Sequence, residues 1–252
     1  MRTQLVALLG AVSVLAGCGG GNGSSVVRET VQNVRDIRSG VLHVKLLVQP
    51  HGTNAQPFGF ELEGPFSLGR QGVPPLARLT YTQIANGTRE RTSVVLGHKR
   101  GSITSSGARR ELSPTQLRAL RAAVRTAGAQ VEQFLPVQDW VRHATLHACG
   151  AYDCVEGRLD VVEATNDLLA LAGSLGRELP ALNDAGEEQL SRSARAATFV
   201  LVTGKTDRLL HRLSIRLDFG VAVPHELARI LNSVVGATVT LDVGVDRPNA
   251  TG

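Results

Sequence analysis

Residues 58–68 read Phe58-Gly59-Phe60-Glu61-Leu62-Glu63-Gly64-Pro65-Phe66-Ser67-Leu68. Phe58, Phe60, Leu62, Phe66 and Leu68 stand at even positions, with Gly64 among them, while Glu61, Glu63 and Ser67 stand at odd ones. Successive side chains of a β-strand point to opposite faces. The stretch is therefore expected to be a long strand of an antiparallel sheet with one dry and one wet face. The scattered carboxylates Glu61 and Glu63 are expected on the wet face in contact with solvent.

The same alternation recurs on either side. Leu42, Val44, Leu46 and Val48 share a face within residues 41–48, His43 and Lys45 lying on the other with Val41 and Leu47. Ala77–Ile84 carries Leu79 and Tyr81; Arg89–Leu96 follows across Asn86-Gly87, a pair suited to a tight turn, and Lys99–Thr104 is expected as a fifth strand. Near the end of the chain, Leu209, Leu213, Ile215, Leu217 and Phe219 oppose Arg212, Arg216 and Asp218. In residues 237–245, Val239, Leu241, Val243 and Val245 oppose Thr238, Thr240 and Asp242. Phe199–Val202 is a shorter strand, and a hairpin is expected over residues 144–162.

Helical spacing marks the remainder. Val27, Val31, Val34 and Ile37 form one stripe over residues 24–37, with Ser25 as cap. Ser113 caps a helix that Pro114 opens and that runs to about Gly128. A shorter helix or turn carries Val131, Phe134 and Leu135. Further helices are expected over residues 161–171, over 180–195 and, briefly, over 224–231. The fold class is α+β, with helices set against one face of a long antiparallel sheet.

The chain starts Met1-Arg2, and an apolar run over residues 5–15 leads to Leu15-Ala16-Gly17-Cys18. A positive start, a short apolar core and a small-residue site describe a signal peptide, and the run is too short for a spanning helix, which needs about 20 residues. The tetrapeptide resembles the lipobox of bacterial lipoproteins at all four positions. That resemblance implies cleavage before Cys18 and attachment of lipid, palmitate included, to its sulfur. The other reading is an ordinary signal peptide with a chance cysteine. Residues 19–23 form a Gly-rich tether. The expected organisation is a signal peptide over residues 1–17, a lipidated tether over 18–23 and a single domain over 24–252. The protein would then sit lipid-anchored on the extracytoplasmic face of the cell membrane.

Of the 252 residues, 42% are apolar and only 4% aromatic, which excludes a disordered chain and argues against aromatic platforms for carbohydrate or single-stranded nucleic acid. The net charge is +5, a balance that could lean on anionic headgroups; nucleic acid is not an expected partner outside the cell. With Cys18 lipidated, Cys149 and Cys154 remain, and an exported chain with two such cysteines is expected to join them in a disulfide. His143 and His147 beside them offer a zinc reading as the alternative, provided that a regular strand puts them on one face. There is no Gly-x-Ser-x-Gly elbow and no His-Glu-x-x-His helix. Gly204-Lys205-Thr206 lacks the earlier glycine of a phosphate loop, Phe199 standing in its place, and is read as a turn. No catalytic set, cofactor or resident metal is expected, so the protein is not read as an enzyme.

The lipobox, the first amphipathic helix and the long alternating strands together resemble the LppX/LprG lipoprotein family of actinobacteria. The stretches that carry the resemblance are residues 34–44, residues 60–66, and Thr203–Asp207 leading into residues 209–218. It implies a half-open antiparallel barrel similar to the LolA/LolB carriers, helices over its concave face, and acyl chains of a lipid or lipoglycan in an apolar cavity. The Cys149/Cys154 pair and the long helical middle, residues 161–195, fall outside the resemblance. The residues expected to line the cavity are Leu42, Val44, Leu46, Phe58, Phe60, Leu62, Phe66, Leu79, Tyr81, Leu213, Ile215, Val239 and Leu241. Read from pattern alone, helices can cover such a face completely, as a solid core, or incompletely, as a slot. The first makes the protein a cell-envelope scaffold or interaction module, the second a monomeric lipid binder or carrier.

Overall fold

The computed structural model describes residues 23–52, 55–69, 73–85, 87–122, 124, 136–174, 182–220 and 236–250. Cys18, the rest of the expected signal peptide, the helix expected over 224–231 and the turn carrying Val131, Phe134 and Leu135 lie outside these residues.

Eleven strands form one antiparallel sheet in the order β6-β5-β4-β3-β2-β1-β11-β10-β9-β8-β7. They are β1 (Ser39–Pro50), β2 (Phe58–Ser67), β3 (Leu76–Ala85), β4 (Thr88–Leu96), β5 (Gly101–Ser105), β6 (Ala108–Glu111), β7 (Val141–Cys149), β8 (Tyr152–Leu159), β9 (Ala194–Gly204), β10 (Leu210–Phe219) and β11 (Ala237–Asp246). The sheet is open, with β6 and β7 at its edges. The first and last strands pair at its centre, Val41 opposite Asp246 and Val48 opposite Val239. Two arms spread from that pair, β2–β6 on one side and β10 back to β7 on the other. The fold class is α+β, as the alternation implies.

Register makes the dry face continuous. Leu46 stands opposite both Phe60 and Leu241, Leu241 opposite Ile215, and Ile215 opposite Phe199. One row further along the strands, Leu62, Val44, Val243, Leu213, Leu201, Val155 and Leu146 line up in the same way. A slip of one residue anywhere would turn a whole strand inside out.

Among the described residues five helices accompany the sheet: α1 (Gly23–Asn33), α2 (residues 114–122), α3 (Val137–Trp140), α4 (Val161–Ser174) and α5 (Asp184–Ser193). Helix α1 starts at Gly23, expected as the last tether residue, so Ser25 lies within its first turn. It buries Val26, Val27 and Thr30. The chain tightens into a 3-10 turn at Val34–Asp36, and the expected stripe continues through it: Val27 and Ile37 are buried in the core, with Val31 and Val34 packed against it. A Cβ on Gly23 would lie 2.7 Å from the carbonyl oxygen of Ala144, so the start of α1 packs backbone to backbone against β7. Farther on, the Thr30 hydroxyl donates to Thr203 Oγ1 (2.9 Å), which donates to the Leu209 carbonyl (3.1 Å). Both threonines are buried, and each such bond contributes about 1 kcal/mol.

Caps set the other helices. Ser113 Oγ accepts from the Gln116 amide and Gln116 Oε1 accepts from the Ser113 amide, a reciprocal capping box that bears out Ser113 as the cap. Asp160 Oδ1 accepts from the amides of Val162 and Glu163 at the start of α4. Asn183 caps α5 through the Gly186 amide, so this helix begins later than the expected Pro180, and β9 follows it directly at Ala194. Strand β9 is therefore longer than the expected Phe199–Val202. Strand β6, Ala-Arg-Arg-Glu, was not expected; all four residues are exposed, and its charges blunt the sheet edge.

Two buried clusters result. The larger joins Val26, Val27, Trp140, Ala164 and Leu190 of the helices to Val155, Phe199, Leu201, Leu213, Ile215, Leu217 and Leu241 of the sheet. Trp140 is fully buried, its indole N–H donating to Asp167 Oδ2 at 2.6 Å. The smaller consists of Ala77, Leu96 and Leu117, where α2 meets β3 and β4.

Candidate functional site

The thirteen residues expected to line a cavity all fall on the dry face, but the structure sorts them by depth. Leu213, Ile215 and Leu241 are buried within the larger cluster, with Leu42, Val44, Leu46 and Val239 half-buried at its margin. Leu79 borders the smaller cluster, and Phe66 packs against both. Phe58, Phe60, Leu62 and Tyr81 belong to neither cluster among the described residues. The first three are half-buried, and Tyr81 is 39% exposed.

These last four form the open part of the dry face. Leu62 lies opposite Val44 on one side and Tyr81 on the other, and Phe60 lies between Leu46 and Gln83. The Phe60 and Tyr81 rings stack diagonally with centroids 6.0 Å apart. Gly64, between Leu62 and Phe66, has φ +136°, and a Cβ there would lie 2.0 Å from the Arg78 carbonyl oxygen. Only glycine allows this approach of β2 to β3. It also leaves the dry face without a side chain between Leu42 and Leu79. Beyond Tyr81 its row turns polar, with Thr92 opposite, whose hydroxyl donates to Ser105 Oγ at 3.3 Å, while the next row continues apolar from Leu79 to Val94 and Ile103.

Sequence reading had not singled out Val155, Phe199 and Leu201, the floor of the covered half. Phe199–Val202 is too short for alternation to choose a face, and only pairing with β8 and β10 reveals it. Gly157 makes room there, since a Cβ on it would come within 2.7 Å of the Phe199 ring.

On the wet face Glu61 is not simply solvated. It stands opposite Lys45 in the β1–β2 ladder, 3.5 Å from its ammonium, and is hydrogen-bonded to Arg89. Partial burial works against its charge, but the Arg89 guanidinium and then Lys45 outweigh it and hold the carboxyl below its ordinary pKa.

The β7–β8 hairpin is tied at its tip by a Cys149–Cys154 disulfide, which removes both sulfurs as thiolate ligands. A bulge between Arg142 and Thr145 interrupts the β7 register, with His143 at φ +53°. The regular strand that the zinc reading requires is thus absent. Among the described residues no cluster of His, Cys, Asp or Glu is arranged to hold a metal ion. Residues 205–207 form the turn expected of Gly204-Lys205-Thr206, and Lys205 donates to the Gly150 carbonyl at 3.0 Å, joining this turn to the disulfide tip. A separate depression, at α5, is lined by Glu188, Arg192, Arg195 and Gly220 and by none of the cavity candidates. Among the described residues no helix is long and apolar enough to cross a membrane.

No protein-family model matches the chain, and no curated protein matches it. Among solved structures, the chain is similar to the crystal structure of LprF from Mycobacterium bovis, with 12% identity over 91% of this chain and 94% of that one and a TM-score of 0.43.

Proposed function

We propose that the protein is a lipid-anchored extracytoplasmic lipoprotein that holds the acyl part of a lipid, or of a lipid-linked molecule, against the dry face of β1–β3. One observation carries this reading: Phe58, Phe60, Leu62 and Tyr81 line up in register on that face, outside both buried clusters. The face needs no catalytic group to work. Each methylene removed from water contributes about 0.8 kcal/mol, so a single long chain laid along β2 would bind by burial alone. Gly64 leaves the gap in the side-chain layer along which a chain can run. Anchored through the Leu15-Ala16-Gly17-Cys18 sequence, the protein would sit where such molecules are found, and the domain from residue 24 onward would act as a unit.

Organic extraction of protein lacking residues 1–18, followed by mass spectrometry, tests the proposal. Removing the anchor cysteine keeps the anchor's own acyl chains out of the extract. A co-purified lipid, lost in Phe60→Asp protein that keeps its fold by circular dichroism, is the expected result. An extract free of lipid, with no uptake of a fluorescent fatty acid, would overturn it.

A second reading has its own support. Val155, Phe199, Ile215 and Leu217 are at most 1% exposed, so half of the dry face is solid core. A scaffold lipoprotein with no ligand would be that half extended, its open apolar strip serving as a protein contact.

A further inference from the structure

Charge is unevenly divided along this chain. Residues 73–122 carry nine lysines and arginines against two glutamates, leaving 18 basic and 20 acidic residues for the rest of the chain. The whole excess of positive charge therefore belongs to β3–β6 and α2.

Within that region the basic residues gather at one end of the sheet. His98, Lys99 and Arg100 form the exposed β4–β5 connection. Arg121 of α2 donates to the carbonyls of Gly97 (2.5 Å) and His98 (2.8 Å), which fixes the helix, and exposed Arg118 one turn earlier, beside that connection. Arg78 stands opposite Val95, two residues before Gly97. Among the described residues none of these cations pairs with a carboxylate; Glu111, the nearest acid on β6, pairs with Arg109. Val73, just before β3 at the same end, is 46% exposed, the largest value among the exposed large apolar side chains. Unpaired cations around an exposed apolar side chain suit the interface of an anionic bilayer, where charge draws the surface in and the apolar group enters the headgroup layer.

We propose that this end of the sheet, centred on Lys99, Arg100, Arg118 and Val73, docks on the anionic phospholipid surface of the membrane. The choice of a bilayer over other polyanions rests on the reading of Cys18 as an anchor. The tether is long enough: Gly23 lies five positions after Cys18, about 17 Å of extended chain, while the 11 residues of α1 span about 16 Å. An anchor at Cys18 can thus reach the level of the far end of α1, where Asn33 donates to the Asp207 carbonyl at the same end of the sheet.

Co-sedimentation of the chain from residue 19 onward with vesicles tests this. Binding is expected to vesicles of phosphatidylcholine mixed with phosphatidylglycerol, and none to phosphatidylcholine alone. The triple variant Lys99→Gln, Arg100→Gln, Arg118→Gln should bind roughly a hundredfold more weakly, about fivefold for each charge removed. The same charge loss elsewhere, Arg28→Gln, Arg158→Gln, Arg195→Gln, should change binding by less than about fivefold, each of its charges lying away from the contact. In high salt, Val73→Asp should remove what binding remains. Equal losses in the two triple variants, or no preference for the anionic vesicles, would overturn the proposal. Lipid labelling of Cys18 in the full chain is read separately: vesicle binding without labelling sinks the anchor reading and leaves the surface standing, and labelling without vesicle binding does the reverse.

Discussion

The two arms of the sheet carry the same pattern and come to different ends. In β8–β10 the dry face is sealed: Val155, Phe199, Leu201, Ile215 and Leu217 are at most 2% exposed beneath the helices. In β2 and β3 the corresponding positions, Phe58, Phe60, Leu62 and Tyr81, are half-buried or exposed. Alternation alone makes both arms dry on one side; what separates them is the location of the helices. Among the described residues, helix α1 lies on β7 and β8, and α3–α5 join the same cluster, whereas α2 meets the end of β3 and β4. An apolar face is thus a necessary sign of a core and an insufficient one.

Substitutions in the two arms should separate these roles. Phe199→Ala leaves a cavity under the helices and is expected to destabilise the protein by about 3–5 kcal/mol in denaturant unfolding; a loss below about 1 kcal/mol would mean that the covered arm is not packed as described. Reduction of the disulfide, or Cys149→Ser with Cys154→Ser, should cost about 2 kcal/mol, because the loop it closes is short; heat denaturation with and without reductant measures it. Phe60→Ala, its counterpart in the open arm, should cost only about 1 kcal/mol while abolishing retention of lipid. Equal losses of stability for Phe60→Ala and Phe199→Ala would erase the distinction between the arms. The smallest effect concerns the wet face. Because the pKa of Glu61 is lowered on folding, its pairing stabilises the protein above the ordinary carboxylate pKa and is lost as pH falls through the lowered value. Glu61→Gln should therefore cost no more than about 1 kcal/mol at neutral pH and nothing in strong acid, as unfolding at the two pH values would show.

Most strands were legible because alternation is a local property. Residues 58–68 declare their two faces without reference to any partner, and Leu213–Phe219 do the same. Helix caps were legible where a short motif carries them, as at Ser113 and Gln116. What stayed hidden depends on contacts between distant parts of the chain. No pattern in Phe199–Val202 says that it floors the core, and Ala108–Glu111 has no apolar face to mark it as a strand. The bulge at His143 lies where β7 packs against α1 and Gly157, contacts that its own residues do not announce. The candidate site divides along the same line: its side chains could be chosen from alternation, but which of them a helix covers could not.

The pairing of β1 with β11 has a consequence in time. Val41 finds its partner only when Asp246 is present, so the centre of the sheet is closed by the two extremes of the chain. Each arm is built of consecutive hairpins, but the two cannot be joined until β11 is available, and so distant a pairing forms slowly. With the last strand as keystone, any truncation before residue 237 has the same outcome: two unjoined arms with their dry faces exposed to water.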